Sequence, residues 1–348
     1  MTTKFEAFLN QFDEEDWLEA VSDLLPEIHE VDRNAVQIWF RFYPLKLFRY
    51  LQAAEDREET LRKLNMQGDF ELKNQIDSSH KFLYGHRFWR EAKAAIVRRA
   101  ENFQAENADL KTEVRTIAKE AAKAAGTKES LTVGITLVGL MTVVQAGFEA
   151  LKASEGKIYI DEALMNKPAK EIVEERAKDD SQGFFGFLKT VDKKFTVIWD
   201  ENDPEARFRI INFEEIASGA ARDRSRDWLA RDKRCIEGVI PVECRSAACG
   251  TCWVGILGGQ EKLSEVQRLE RKQMKVFGYN QPDEPKPFLR LACQAKVNGN
   301  VTIVIPPWNA VFGRKVRGDV EDEVLEPATT SARKNRAVVR EVTKNQLM

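Results

Sequence analysis

The chain has 348 residues, of which 43% are apolar and 32% are charged, so it is long enough for two domains with sizeable cores. Lysine and arginine (54) nearly balance aspartate and glutamate (56), which gives no reason to expect a nucleic-acid-binding protein. The N-terminus lacks the basic stretch and apolar core of a secretory signal, and we expect a cytoplasmic protein.

Residues 1–155 are predicted to form an all-α domain. Asp13 and Asp16 have the spacing of a helix N-terminal capping box. Pro44 is expected to kink or divide an aromatic-rich helix over residues 34–52. Further helical patterns cover residues 77–105 and 108–125.

Residues 131–150 are apolar on nearly all sides of a predicted helix. The longest apolar run, Leu131 to Val144, is shorter than the roughly 20 residues that span a membrane. A helix that is apolar all round must be buried, either in its own domain or against a partner. Homo-oligomerisation through the helical domain therefore stays open.

Residues 156–192 are predicted to connect two domains. A charged helix follows Pro168, and the phenylalanines of segment 183–187 are expected to pin the connector to one domain. The pattern then changes to that of a small mixed sheet in a domain over residues 193–315. Its predicted strands are 195–199, 207–211, 253–257 and 301–305. Residues 316–348 form a polar tail that we expect to be mobile.

Four of the five cysteines form one pattern in the chain. Cys244, Cys249 and Cys252 have the spacing C-x4-C-x2-C, and Cys293 follows after forty intervening residues. This is the plant-type [2Fe–2S] spacing, in which two tetrahedral irons need two thiolates each. A four-cysteine zinc site, the alternative, more often uses short C-x2-C pairs. We predict that these four cysteines bind a [2Fe–2S] cluster.

The residues of the cysteine loop are predicted to surround the cluster. Small side chains allow backbone N–H groups to turn toward the sulfurs and tune the reduction potential. The loop residues expected there are Arg245, Ser246, Ala247, Ala248, Gly250 and Thr251.

Three segments resemble the plant-type ferredoxin family: Ile240–Arg245, Glu261–Ser264 and Leu289–Gln294. The Arg-Leu-x-Cys-Gln ending is similar to that of ferredoxin domains in bacterial redox proteins. The resemblance implies a β-grasp fold for about residues 193–314, and hence an α+β chain with an N-terminal helical domain.

Two features depart from that family. Ala247 stands where the family usually has glycine, so the backbone there is expected to avoid positive φ or to be strained. The long gap between Cys252 and Cys293 is predicted to contain an amphipathic helix packed on the sheet, rather than a docking surface for a redox partner. Its predicted apolar side comprises Leu263, Val266, Leu269, Met274 and Phe277.

The remaining residues with reactive or aromatic side chains are predicted to have structural roles. Cys235 lies outside the four-cysteine pattern and is predicted to be a spare, partly buried thiol. Trp253 is predicted to pack in a strand. His80 and His86 are predicted to be surface or capping residues rather than haem ligands.

The sequence favours an electron-transfer component over a catalyst acting alone. It contains no strand-linked G-x-G-x-x-G and no phosphate-binding loop for a nicotinamide, flavin or nucleotide. The expected partner is a redox protein or complex, such as a hydrogenase, dehydrogenase or oxygenase. One alternative is an oligomeric scaffold with a structural or sensory cluster. Another is a membrane-surface protein that exchanges electrons with quinone through the aromatic segment Trp39–Tyr50, a membrane contact that is not favoured.

Overall fold

The computed structural model describes residues 2–104, 108–178, 180, 193–279 and 286–318. Segment 183–187 and the predicted tail beyond Gly318 lie outside these residues. The chain forms two compact units that do not follow chain order. The first unit comprises Met1–Ala54, Asp69–Ala177 and Asp200–Ala206, and the second comprises Glu55–Gly68, Lys178–Trp199 and Arg207–Met348. The predicted boundaries at 155, 192 and 315 stay predictions.

Helices and strands are numbered along the described residues. The helices are α1 (Lys4–Leu9), α2 (Glu14–Leu24), α3 (Glu30–Phe42), α4 (Leu45–Gln52), α5 (Arg57–Lys63), α6 (Trp89–Glu101), α7 (Leu110–Ala125), α8 (Val133–Ala146), α9 (Phe148–Ala153), α10 (Glu162–Met165), α11 (Ala169–Ala177), α12 (Ile216–Arg222), α13 (Trp228–Arg231) and α14 (Arg268–Phe277). The strands are β1 (Gln67–Gly68), β2 (Lys194–Ile198), β3 (Arg207–Ile211), β4 (Glu214–Glu215), β5 (Trp253–Gly258), β6 (Leu289–Leu291), β7 (Lys296–Val297), β8 (Val301–Val304) and β9 (Trp308–Asn309).

The first helices of the chain begin and end where their capping residues predict. Asp13 and Asp16 form the reciprocal capping box of α2, with N···O distances of 2.9 and 2.8 Å. α3 ends at Phe42, and Pro44 is the N-cap of α4. The division follows because proline lacks an N–H and disfavours helical backbone in the residue before it.

The predicted helix over residues 77–105 is wrong in its first half. A 3-10 helix covers Tyr84–Phe88, and α6 begins only at Trp89. The buried Asp32 carboxylate accepts hydrogen bonds from the backbone N–H groups of Tyr84 (2.6 Å) and Gly85 (2.8 Å). These side-chain bonds from a distant helix satisfy the backbone here and replace helical ones.

Helix α8 is the buried centre of the first unit. Its residues Val133–Gln145 are all buried, with α3, α6 and α7 packed around it. A Cβ at Gly139 would lie 2.5 Å from the Ile96 side chain, so glycine permits the close approach of α6. The apolar stretch is thus covered inside its own unit. None of the helices in the described ranges has both the length and the apolar character that crossing a membrane requires.

The aromatic residues of α3 and α4 also lie mostly inside the first unit. The side chains of Trp39, Phe40, Phe42 and Tyr43 are buried, and Tyr50 is exposed. Trp39 packs against Tyr43 with ring centroids 4.9 Å apart. These residues form part of a hydrophobic core, as the packing interpretation predicts.

His80 and His86 are buried, so the surface or capping interpretation is wrong for both. Their Nδ1 atoms are 3.0 Å apart, and His86 Nε2 accepts a hydrogen bond from the Tyr159 N–H (2.9 Å). That bond leaves the His86 proton on Nδ1, where it is donated to His80 Nδ1. Burial lowers the pKa of His80 to about 3 and that of His86 to about 2. Both rings are neutral structural elements of the core.

The second unit contains the mixed sheet that the sequence predicts. Its strand order is β3-β2-β8-β5-β6, with β2 and β8 parallel and the other neighbours antiparallel. Helix α12 packs against β3, where a Cβ on Gly219 would lie 3.0 Å from Ile210. The β2–β3 hairpin, the helix α12 that crosses the sheet and the central strand β8 together form a β-grasp arrangement. The α+β fold class is confirmed.

A segment from the N-terminal part of the chain belongs to this second unit. Strand β1 pairs with β9, and the backbone N–H of Val311 donates to the carbonyl of Leu64 (2.7 Å). Gly68 has a φ of +82°, and a Cβ there would lie 2.2 Å from the carbonyl oxygen of Pro307. Glycine is therefore required at this crossing.

The amphipathic helix predicted between Cys252 and Cys293 is only partly correct. Helix α14 begins at Arg268, so two of the five predicted apolar residues precede it, and Leu269 is 49% exposed. The neighbouring Glu270 is buried instead. Its carboxylate accepts hydrogen bonds from the Arg290 guanidinium (2.9 and 3.0 Å) and the Leu291 N–H (3.0 Å). These three bonds determine which side of α14 faces inward. Met274 and Phe277 are buried as predicted.

Candidate metal centre

Four cysteines converge at one end of the five-stranded sheet. Cys244, Cys249 and Cys252 lie on the loop that leads into β5, and Cys293 follows β6. Strands β5 and β6 are antiparallel neighbours, and the Ala292 N–H donates to the Cys252 carbonyl (2.9 Å). The sheet register thus brings the distant Cys293 back to the loop.

The four thiols are arranged as two hydrogen-bonded pairs. Cys244 is paired with Cys249, and Cys252 with Cys293. Within the described ranges, no three histidine, cysteine, aspartate or glutamate side chains are placed to share a single metal ion. A [2Fe–2S] cluster requires two thiolates on each of its two irons. The observed pairing has that form.

Backbone N–H groups of the loop are directed at the sulfurs. The pKa of Cys244 is lowered to about 5 by a hydrogen bond from the Cys249 thiol and by the N–H groups of Ser246, Cys249 and Ala248. The pKa of Cys293 is lowered by the Cys252 thiol, by the Gln294 side chain and by the Ala247 N–H. Each pair therefore contains a sulfur whose surroundings favour the anionic thiolate.

The other two cysteines have raised pKa values. For Cys249 and Cys252 the main cause is the hydrogen bond to the partner thiol, followed by burial. With one sulfur of each pair as the anion, the other keeps its proton and donates it. The two pairs therefore act as two coupled sites rather than as four separate thiols.

Ala247 takes the strained alternative that the sequence left open. Its φ is +60°, a conformation that costs an alanine roughly 1–2 kcal/mol. This backbone turn directs the Ala247 N–H to Cys293. Gly250 also has a positive φ, of +72°, and a Cβ there would lie 2.7 Å from the ring of Phe277. Any side chain at position 250 would clash with Phe277, whereas the side chain of Ala247 is present at the cost of backbone strain.

Thr251 contributes a hydroxyl as well as backbone. Its Oγ1 accepts a hydrogen bond from the Glu243 N–H (3.1 Å) and lies 3.2 Å from Cys249 Sγ. Because an acceptor bond is already made to the oxygen, the hydroxyl proton is available for the sulfur. The Thr251 carbonyl in turn accepts from Asn309 Nδ2 (2.7 Å).

Gln294 and Arg245 lie at the outer side of the loop. Gln294 Nε2 is 3.4 Å from Cys293 Sγ and 3.3 Å from the Arg245 carbonyl oxygen. The Arg245 side chain points away to Glu237 (2.6 Å) and Ser218 (2.9 Å). Glu243, Asn309 and Gln294 support this site but were not predicted as site residues. The position of Gln294 directly after a predicted ligand was the available signal.

Cys235 and Trp253 have the structural surroundings that their patterns predict. The Cys235 thiol is buried and donates to the Val239 carbonyl (3.0 Å). Burial raises the pKa of Cys235 to about 12, which disfavours the thiolate that a metal or an oxidant needs. Trp253 is buried and stacks on Tyr279, with ring centroids 3.9 Å apart.

Residues 226–298 match the family model of the 2Fe-2S iron-sulfur cluster binding domain. This part of the chain is a ferredoxin-type [2Fe–2S] domain. The matched range contains all four converging cysteines. The domain binds a [2Fe–2S] cluster and has an iron-sulfur electron-transfer role, which confirms the predicted cofactor and the resemblance to the ferredoxin family. No solved structure matches the chain.

Proposed function

We propose that Cys244 and Cys249 ligate one iron of the cluster and that Cys252 and Cys293 ligate the other. The pairing of the four thiols within the ferredoxin-type domain is the observation that supports this assignment. Four thiolates complete the coordination of two irons and leave no position for a substrate. The protein is then a one-electron carrier rather than a catalyst acting alone.

The loop residues adjust the cluster for that task. Hydrogen bonds from the N–H groups of Ser246, Ala247 and Ala248 and from the Thr251 hydroxyl stabilise negative charge on sulfur. The reduced cluster carries one more negative charge than the oxidised one. These donors therefore raise the reduction potential relative to a loop without them.

The partner is a larger redox enzyme, such as a hydrogenase, dehydrogenase or oxygenase, and the first unit serves as the part that joins the carrier to it. A free carrier does not need an additional helical unit of this size. The apolar stretch that motivated an oligomeric scaffold is covered inside the first unit. The aromatic residues that motivated a membrane-surface function are mostly buried there as well. Neither observation now favours those alternatives.

The test is anaerobic purification of the full chain, iron and sulfide analysis, and low-temperature EPR before and after reduction with dithionite. We expect about two irons and two sulfides per chain, and a paramagnetic signal that is present only after reduction. A protein that holds zinc instead, or a cluster that dithionite cannot reduce, would contradict the carrier function.

A further inference from the structure

The segment from the end of α12 through α13 is strongly basic. Residues Arg222–Arg234 contain six basic and three acidic side chains, a net charge of +3, in a chain whose net charge is −2. The basic residues are Arg222, Arg224, Arg226, Arg231, Lys233 and Arg234. We call this segment together with Arg245 the cationic rim.

Two basic groups of the rim, Arg222 and Arg245, are more exposed than the carboxylates that they contact, whereas Arg234 is 8% exposed against 33% for its partner Asp232. Arg222 has 49% of its side chain exposed, against 15% for its partner Glu214. Arg245 is 43% exposed, against 18% for its partner Glu237. Arg224, Arg231 and Lys233 are exposed as well. The Arg222–Glu214 and Arg245–Glu237 pairs therefore present their positive ends to solvent and keep their negative ends beneath.

The rim lies next to the cysteine loop. Arg245 directly follows Cys244, and its guanidinium donates to Ser218 Oγ on α12 (2.9 Å). Arg224 donates to the backbone carbonyl of Glu237, the residue whose carboxylate pairs with Arg245. The Arg245 carbonyl accepts from Gln294 Nε2, which also lies 3.4 Å from Cys293 Sγ. A few hydrogen bonds connect the rim to two of the proposed ligands.

The basic segment has a defined conformation. The guanidinium groups of Arg226 and Arg231 lie 5.8 and 4.8 Å from the ring centre of Trp199, and Trp228 meets that ring edge-on. Such cation–π contacts fix the stems of arginines without removing their charge. The Trp228 Nε1–H donates to the Asp223 carbonyl (2.9 Å).

The acidic residues of the segment also serve its conformation. Asp227 caps α13 by accepting from the Ala230 N–H (3.1 Å), and Asp223 accepts from the Ser225 N–H (3.0 Å). Asp232 pairs with Arg234 (2.7 Å). The positive field is thus built on an ordered surface rather than on an extended run of charges.

We propose that the cationic rim is the docking surface for electron exchange and that its occupant is an acidic surface of a redox protein. The inference rests on the proposed carrier function, since only a reducible cluster gives the rim this use. Charge complementarity determines the occupant, because opposite potentials steer two proteins into productive encounters and like charges oppose them. Proximity to Cys244 and Cys293 makes an encounter at the rim productive.

The test measures electron transfer from the dithionite-reduced, cluster-loaded full chain to two protein acceptors by stopped-flow. The probes are an acidic flavodoxin and the basic cytochrome c, each at low and high ionic strength. The variant is Arg224→Glu with Lys233→Glu, because neither side chain contacts a proposed ligand. Arg224→Gln with Lys233→Gln is the milder version. Arg62→Glu with Lys170→Glu is the matched control, since it reverses two exposed basic residues outside the rim.

We expect fast transfer to flavodoxin that slows as salt rises, and slower transfer to cytochrome c that salt does not suppress. The glutamate variant should slow the flavodoxin reaction by about tenfold or more at low salt, the glutamine variant by less, and the control should react as the parent protein does. Equal rates for variant and control, or a preference for cytochrome c, would overturn the docking proposal. So would tight binding of duplex DNA that depends on Arg224 and Lys233.

The failures of the two proposals are distinguishable. A chain without a reducible cluster would overturn the carrier function and the docking proposal together. A reducible cluster whose transfer rates ignore acceptor charge would overturn the docking proposal alone and leave the carrier function intact.

Discussion

The buried histidines of the first unit and the buried cysteines of the loop in the second unit have opposite surroundings. In the first unit, His80 and His86 are buried as neutral rings that hydrogen-bond to each other and to the backbone. In the second unit, backbone N–H groups and a hydroxyl point toward buried sulfurs and favour negative charge on them. Burial alone excludes charge, whereas converging donors lower the cost of charge on a buried group. The two histidines thus maintain the fold as neutral groups, whereas the surroundings of the cysteines are suited to holding a charged group.

The largest stability effect should come from the buried ion pair of the second unit. Glu270 and Arg290 are both buried, and the carboxylate also accepts from the Leu291 N–H. Arg290→Ala leaves that carboxylate unpaired, and we expect the free energy of unfolding to fall by about 3–5 kcal/mol. Urea unfolding of the cluster-loaded protein measures this value.

The control for the ion pair is an exposed one in the first unit. Arg115 contacts Glu27 at 2.8 Å, and the two side chains are 48% and 40% exposed. Arg115→Ala should cost no more than about 1 kcal/mol. Equal losses in the two variants would show that burial does not determine the strength of these pairs.

Acid should destabilise the first unit through its two buried histidines. Burial lowers the pKa of His80 to about 3 and that of His86 to about 2. Below pH ~6.5 the unfolded chain therefore binds protons that the folded unit does not bind. The free energy of unfolding then falls by up to about 1.4 kcal/mol per pH unit for each histidine as the pH decreases. Unfolding followed by helical circular dichroism between pH 7 and about pH 4.5 measures this slope.

One buried carboxyl partly opposes that trend. Burial raises the pKa of Asp32 to about 6, so the folded unit binds this proton before the unfolded chain does, and stability rises as the pH falls through that value. The net loss should therefore be shallower than the two histidines alone would give. His80→Asn with His86→Gln should flatten the histidine contribution. An unchanged slope in that variant would contradict the assignment.

The Thr251 hydroxyl should affect the potential of the cluster rather than its presence. Thr251→Val removes the donor to Cys249, and the reduced, more negative state loses more than the oxidised one. We expect the reduction potential to fall by some tens of millivolts, about what a hydrogen bond to a charged group provides. An EPR-monitored redox titration measures the shift. Thr251→Ser keeps the hydroxyl and should stay near the parent value; an equal shift in both variants would exclude the hydroxyl as the cause.

The smallest effect is expected at the strained backbone of the cysteine loop. Ala247→Gly relieves a positive φ that costs alanine roughly 1–2 kcal/mol. Glycine also makes the unfolded chain more flexible, which lowers the free energy of unfolding by about 0.5–1 kcal/mol. A gain of up to about 1 kcal/mol in unfolding free energy is expected. The neighbouring Ala248→Gly has no strain to relieve and should destabilise; a gain there would contradict this explanation.

Sequence alone predicts the [2Fe–2S] cofactor because the chemistry of the cluster restricts residue type and spacing. Two irons require four thiolates. Cys244, Cys249 and Cys252 can supply three of them from one tight loop, and Cys293 can supply the fourth. Helix ends marked by local signals, such as the Asp13 cap and Pro44, are also predicted correctly, because these residues act on backbone only a few positions away.

The remaining features depend on partners that lie far away in the chain. Asp32 determines the backbone near Gly85, and Arg290 determines that Glu270 rather than Leu269 faces inward. The inclusion of residues 55–68 in the second unit depends on a strand pair with residues 308–309. No periodicity within a short window indicates these contacts, so the pattern predicts the wrong helix start and wrongly places Leu269 on the buried face of α14.

The most direct test of the account is a set of five cysteine-to-alanine variants analysed for iron and for the EPR signal of the reduced cluster. We predict that the alanine variants of Cys244, Cys249, Cys252 and Cys293 each lose the [2Fe–2S] signal, while Cys235→Ala keeps about two irons per chain. A cluster that survives the loss of one of the four, or that disappears with Cys235, would contradict the assignment of the site.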